Sequence, residues 1–190
     1  MQNVDPKQHM KKPYIQKVQK DLSIPWFEQI KKTVVLPHSL EKQTFYSIKP
    51  PDYVTALAET KDKKIIILKQ YRPAVDDYTF ELPSGHMEKE ETPTQAMIRE
   101  LEEETNCHSD NLILLGEIIP DTGRLENRLW AFYINDLKIR PFRSPIKNDG
   151  IHVQLISHKE LSAMIIEGRL NHALDLSIIA LAIFKQHLTL

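Results

Sequence analysis

Three glutamates, Glu100, Glu103 and Glu104, follow Arg99 within the stretch 85–107, GHMEKEETPTQAMIRELEEETNC. Carboxylates are hard oxygen donors, and several on one surface suit Mg²⁺ or Mn²⁺. At about 100° per residue, a helix sets these three on one face, with Arg99 and Ala96 flanking Glu103. Ile98, Leu101 and Thr105 fall on another face, with Met97 at its edge, so one side can pack while the other presents acid. Most charge runs are merely solvated. Here, however, no lysine shares the acidic face, and like charges at such spacings cost a helix roughly 0.2–0.5 kcal/mol per pair. A bound cation would remove that repulsion.

The ends of this helix are legible from local chemistry. Thr92 is a good N-cap, Pro93 suits the first helical position and Gln95 completes a Thr-x-x-Gln capping box. Asn106 tolerates the left-handed conformation that ends a helix. Gly85, ahead of the helix, would let the chain turn tightly and bring a carbonyl oxygen close to a metal.

The order Gly85, five residues, Glu91, seven residues, then Arg99-Glu100-Leu101-x-Glu103-Glu104 resembles the signature of the Nudix hydrolases, matching at seven constrained positions. Asn106 stands where that family has glycine, and Cys107 where it has an aliphatic residue. Asn accepts positive φ and Cys behaves as a small hydrophobe, so neither change is expected to abolish activity. The resemblance extends from about Tyr53 to the C-terminus. It implies an α/β (α+β) Nudix fold, a mixed β-sheet sandwiched between helices with an N-terminal β extension. It also implies Mg²⁺ (or Mn²⁺) held by Gly85, Glu100, Glu103 and Glu104, with Arg99 orienting the carboxylates by pairing with Glu103 or Glu91.

The flanking segments narrow the substrate class. Gln70-Tyr71-Arg72-Pro73-Ala74 and Thr79-Phe80-Glu81-Leu82-Pro83-Ser84-Gly85 resemble motifs of Nudix enzymes acting on ADP-ribose and other nucleoside diphosphate sugars. Arg72 can grip a diphosphate through forked, charge-assisted hydrogen bonds, or pair at the surface with Asp76 or Asp77. Glu81 can accept a hydrogen bond from a base or ribose, or cap a neighbouring backbone group. In related enzymes a loop acid helps activate water. Here the candidates are Asp149, in the Pro- and Arg-rich stretch 138–150, and Glu126, after Asp121-Thr122-Gly123. Asp149-Gly150 also reads as an ordinary turn. The leading activity is hydrolysis of ADP-ribose to AMP and ribose 5-phosphate. A GDP-mannose-type sugar nucleotide or a dinucleotide as substrate, a silent ligand sensor and an RNA-decapping enzyme remain as alternatives.

The remaining elements must position these groups. Residues 1–22 read as a polar leader, and 26–36 and 43–48 as strands around a Pro37-His38-Ser39 turn. Residues 1–50 form the expected extension, which in related enzymes supports a homodimer, and 51–190 the hydrolase domain. A hairpin is expected over 53–59 and 64–71, with Ile65-Ile66-Ile67-Leu68 apolar on both faces and hence central. Further strands are expected at 112–119, 129–134 and 151–156. A helix capped by Ser157 and Glu160 should run to about Gly168, and a last one from Asn171 to about His187.

Composition sets bounds on partners. A net charge of −1 gives no bulk attraction to nucleic acid or anionic membrane. A single cysteine, Cys107, precludes an internal disulfide and fits a reducing cytoplasm. It reads as a buried cap residue rather than a nucleophile. The eight histidines show no zinc spacing, and His86 reads as a substrate-facing or exposed side chain. No membrane-spanning run or signal peptide is expected.

Overall fold

A computed structural model describes residues 27–35, 42–139 and 150–190. The polar leader, the turn at 37–39, most of the stretch 138–150 and Asp149 with it lie outside the described residues.

Strands β1 (Glu28–Val35) and β2 (Lys42–Lys49) pair antiparallel as a separate two-stranded sheet. They join the main body where Ile48 N–H donates to the Arg124 carbonyl at 2.8 Å and Glu126 N–H to the Ile48 carbonyl at 3.0 Å. The main sheet contains β3 (Tyr53–Thr60), β4 (Lys64–Arg72), β5 (Asp77–Glu81), β6 (Ser84–His86), β7 (Cys107–His108), β8 (Ile113–Ile118), β9 (Leu129–Ile139) and β10 (His152–Ser157). Its central path runs β10-β4-β3-β9-β7, with β5 on β4, β6 on β3 and β8 on β9. Among the described strands of this sheet only β3 and β9 pair in parallel, so the sheet is mixed, as expected.

Alternation along the strands builds two cores. Val54, Ala56, Ala58 and Ile66 point to one face, where Ala96, Met97 and Leu101 of helix α1 (Pro93–Thr105) cover them. Leu57, Ile65 and Ile67 point to the other, against Leu161 and Met164 of α2 (His158–Ile166) and Ile178, Ile179 and Ala182 of α3 (Ala173–Phe184). The sheet thus lies between helices, and β4 is flanked on both edges. Its apolar run is buried because both of its faces are covered.

Strand β9 runs past its expected end at Ile134 to Ile139, where it pairs with β7, and two further departures from the expected elements shape the cleft. Beyond the turn at Lys63, β3 and β4 share only the pair Glu59 and Ile65 before they diverge. The residues after β5 enter the gap: Ala56 N–H donates to the Pro83 carbonyl at 3.0 Å, and β6 pairs with Tyr53, Val54 and Thr55. The last helix also starts later than expected. Its N-cap is His172, not Asn171, with no side-chain capping bond, and it ends at Phe184. Asn171 therefore stays in the link between the two helices.

Both capping boxes form. In α1, Gln95 N–H donates to Thr92 Oγ1 at 3.3 Å, Thr92 N–H donates to Gln95 Oε1 at 2.9 Å, and Asn106 closes the helix with φ 55°. In α2, Ser157 and Glu160 make the equivalent exchange. The Thr92 hydroxyl is exposed and serves only the cap, so Thr92→Ala should cost about 0.5–2 kcal/mol, read as a lower urea midpoint with unchanged slope.

Candidate active site

Helix α1 approaches β6 so closely that Gly85 has no room for a side chain. A Cβ there would fall 1.9 Å from the Glu100 carboxyl carbon and 2.2 Å from Oε1. Gly85 lies within a strand and its φ is not positive. The tight turn expected at this glycine is therefore not what the position requires. Close approach of a carboxylate to bare backbone is the requirement.

One turn on, Glu104 is 5% exposed and accepts the Ser84 N–H at 3.0 Å. The buried face of α1 comprises Ala96, Met97, Leu101, Glu104 and Thr105, while Ile98 is only half-buried. Glu104 thus joins the packed side rather than standing on the separate acidic face expected for all three glutamates. Glu103 remains more open, its side chain 30% exposed.

Arg99 organises the entrance. Its Nε and Nη2 fork onto Glu91 at 2.9 Å each, Nη1 meets Glu100 at 2.6 Å, and Nη2 also donates to the His86 carbonyl at 2.8 Å. Glu103 is 3.6 Å away. Of the two partners expected for Arg99, Glu91 makes the forked contact. This ties the loop before α1 to the helix face.

A second forked pair stands across the cleft. Arg72 Nε and Nη2 reach Glu81 at 2.9 and 2.6 Å. Glu81 is buried, and Gln70 and Thr79 also donate to it. Asp76 and Asp77, the alternative partners for Arg72, bind the Tyr71 hydroxyl and the Tyr78 N–H instead. Glu81 serves side chains here and caps no neighbouring backbone among the described residues.

The two halves share one cleft of about 850 Å³, lined by Arg72, Glu81, Gly85, Arg99, Glu100 and Glu104 together with other residues. Among these are Tyr53, His172 and His86, the last expected to be substrate-facing or exposed. The Tyr53 and His86 rings meet edge-on with centroids 6.4 Å apart. Glu103 does not line this cleft. Glu126 does not either: its carboxylate is held by Lys32 at 2.5 Å and by the Ser47 hydroxyl, both on the N-terminal hairpin. Its neighbour Asn127 lines a smaller adjoining cavity of about 350 Å³, beside Phe27, Tyr53 and His86.

Charge is unbalanced here. Burial pushes the Glu104 carboxyl up to about 8, reinforced by Glu100 and Glu81 and opposed by the Ser84 N–H and Arg72. Glu100 is also raised, first by burial and then by Glu103 and Glu91, against the pull of Arg99. Glu91 is lowered by Arg99, and Glu81 lowered despite its burial by Arg72 and Thr79. His86 is lowered by burial and by Arg72, which favours the neutral ring.

Among the described residues no three His, Cys, Asp or Glu side chains already converge on a point fit for a metal ion. The donor chemistry nonetheless fits a hard divalent cation. Glu104 is buried with no direct cationic partner among the described residues, and Glu100 lies against bare backbone with a single guanidinium at its side. Either a proton or a cation must offset that charge.

Sequence reasoning misses the His172–Asp175 pair because it places the cap at Asn171. The usable signal is a titratable residue at the cap with an acid three residues on, the spacing of a capping box. Tyr53 and His86 give no such signal, because only the β3–β6 pairing brings them to the cleft.

The raised Glu104 carboxyl has a measurable consequence. Without divalent ions, the folded state keeps this proton up to about pH 8, whereas the unfolded chain releases it in the ordinary carboxylate range. The folded state therefore binds more protons in that window and loses stability as pH rises through it. Calorimetric melting in chelator should show this decline in wild type and a shallower one in Glu104→Gln. Added Mg²⁺ should flatten it in wild type.

Comparison with known proteins agrees with this geometry. A family model described as the NUDIX domain matches residues 49–164. The chain is 30% identical over 102 residues to the ADP-ribose pyrophosphatase of Bacillus subtilis (strain 168), covering 54% of this chain and 55% of that protein. It is 49% identical over 41 residues to the ADP-sugar pyrophosphatase of Mus musculus, covering 22% of this chain and 19% of that one. The matched stretch thus spans about half the length of the first relative and less of the second. The crystal structure of an ADP compounds hydrolase superposes with a TM-score of 0.74 at 14% identity, covering 94% of this chain and 98% of that one. With a signature helix seated on Gly85 and the domain model matched over more than half its length, the chain belongs to the Nudix family.

Proposed function

We propose that this protein is a metal-dependent hydrolase of the diphosphate linkage in nucleoside diphosphate derivatives, with ADP-ribose the leading substrate. The observation that carries the reading is the cleft in which half-buried Glu100 and buried Glu104 share the lining with the Arg72–Glu81 pair. Similarity to proteins named for ADP-ribose and ADP-sugar pyrophosphatase activity supports the choice of an ADP-linked substrate.

Glu100, Glu103, Glu104 and the Gly85 carbonyl would hold Mg²⁺ or Mn²⁺. Such ions, when bound, neutralise a diphosphate and make a nearby water more acidic. Arg99 holds Glu100 in place and anchors the loop through Glu91 and the His86 carbonyl. Arg72, its Nε and Nη2 committed to Glu81, has Nη1 free of any partner among the described residues and can donate it to a phosphate oxygen. Water attacks one phosphorus, the bond to the bridging oxygen breaks, and that oxygen leaves with the other phosphate, giving AMP and ribose 5-phosphate. A carboxylate takes the proton from water. Asp149 is assigned this role in preference to Glu126, whose carboxylate is engaged by Lys32 and Ser47.

The adjoining cavity offers Phe27, Tyr53 and His86 as flat walls. Within it the Asn127 Oδ1 is buried without a hydrogen-bond partner among the described residues. An amino-bearing nucleobase would satisfy that acceptor. We assign residues 51–190 to the hydrolase unit and 1–50 to an extension that supports a homodimer, a reading favoured by exposed Phe45 and Tyr46 on β2.

Glu103→Gln and Glu104→Gln should each lower turnover by orders of magnitude, about 10²-fold or more, with the circular-dichroism spectrum retained. Product analysis from ADP-ribose, GDP-mannose and a dinucleotide, with Mg²⁺ or Mn²⁺, decides the substrate. AMP release from ADP-ribose is expected to dominate. Near-normal activity in both variants would sink the assignment.

A further inference from the structure

The proposed reaction leaves a buried acid and a half-exposed histidine without a role. His172 opens α3, and its ring lines the cleft on the wall opposite the acidic helix. Its Nδ1 lies 3.1 Å from Oδ2 of Asp175, close enough for an ion pair but without hydrogen-bond geometry. Its Nε2 has no partner among the described residues. Asp175 is 1% exposed, and the same Oδ2 accepts the Leu82 N–H at 3.1 Å.

One buried oxygen therefore meets two elements at once. It attracts the protonated His172 ring toward the first turn of α3. It also ties that turn to Leu82, just ahead of the Pro83-Ser84-Gly85 segment on which Glu104 and Glu100 rest. A residue serving packing alone would not need a carboxylate at this depth, since a buried acid is costly without partners. His172 gains nothing from this placement as a cap, because it makes no capping bond.

The cleft is short of donors for a polyanion. On this side Arg72 has committed two of its nitrogens to Glu81, and among the described residues His172 offers an uncommitted ring nitrogen beside the neutral amide of Asn171. Resting on the diphosphate reading of the cleft, we infer that His172 is a substrate-binding residue that donates Nε2–H to an anionic oxygen of the diphosphate, and that Asp175 is the positioning residue that aims it. The imidazolium makes that hydrogen bond charge-assisted.

Three charged groups face the ring: Asp175 from its own helix, Glu81 from β5 and Arg72 from β4. Asp175 raises the His172 pKa most, with Glu81 adding to it and burial and Arg72 opposing. Asp175 itself is raised by burial and by Glu81 and lowered by His172. The ring thus stays protonated to higher pH than a free histidine. Affinity for the diphosphate is present below that raised pKa and is lost as pH rises through it. Replacing Asp175 by Asn removes the main cause of the rise and moves the loss to lower pH.

The test uses the full chain with Mg²⁺. In His172→Gln, KM for the hydrolysed substrate should rise about tenfold at neutral pH, with kcat within about twofold. In Asp175→Asn the pH midpoint of 1/KM should move down, and the double variant should bind no worse than His172→Gln. Carbon-13 imidazole NMR of wild type, with the His172 signal assigned by its loss in His172→Gln, should show that signal shift on titration with inorganic pyrophosphate. A KM within about twofold of wild type in His172→Gln, or an imidazole signal indifferent to pyrophosphate, would overturn the inference. If wild type hydrolyses no member of the substrate panel, that failure belongs to the proposed function. The pyrophosphate titration then decides the role of His172 alone.

Discussion

The site depends on a carboxylate resting against peptide backbone. Glu100 occupies the volume that any side chain at residue 85 would fill, so α1 can settle onto β6 only over glycine. That contact sets the depth of the whole helix. With Glu100 at the backbone, Glu104 is carried one turn further into the buried face, where the Ser84 N–H meets it. Met97 and Leu101 then complete the packing against β3 and β9. Acid and apolar residues share one helix surface because the strand beneath offers bare backbone at one end and small or branched side chains at the other.

Such an arrangement stores negative charge in a poorly solvated place. The molecule offsets part of it with two guanidinium forks, Arg99 on Glu91 and Arg72 on Glu81, one on each side of the cleft. Each fork also has a mechanical result. Arg99 reaches the His86 carbonyl and so locks the loop before α1, while Arg72 and Glu81 lace β4 to β5 across their ladder. What the forks leave unbalanced is Glu104, whose carboxyl keeps its proton to about pH 8. A divalent cation would release that proton and take up the charge. The proposed preference for metal would follow from burial, and the proposed preference for phosphate from the cationic groups of Arg72 and Arg99.

Much of this is legible in the residues alone. Residues 92–106 carry a complete set of local helix signals, and the structure forms the capping box and the left-handed end at Asn106. The alternating and doubly apolar strands are also readable, since period-two burial depends on nearest neighbours along the chain. Other expectations fail for identifiable reasons. Asn171 is a good capping type but lies one residue too early, and the frame is set instead by Asp175 reaching Leu82 across the fold. Glu126 stands one residue short of the usual loop acid, where Asn127 lies, and its partners Lys32 and Ser47 come from the N-terminal hairpin, far back along the chain.

By itself, the sequence determined the chemistry of the helix: three carboxylates and a guanidinium at helical spacing, a glycine ahead of them, and caps that oblige the helix to form. Those properties are local, governed by spacing and by residue type. Tertiary structure alone decided which carboxylate is buried, that Arg72 pairs with Glu81, and that the start of α3 forms the opposite wall. These outcomes hinge on the divergence of β3 from β4 after a single shared pair, which opens a gap for β6. Strand divergence reflects competition among distant partners for the same backbone hydrogen bonds, and no run of neighbouring residues encodes it.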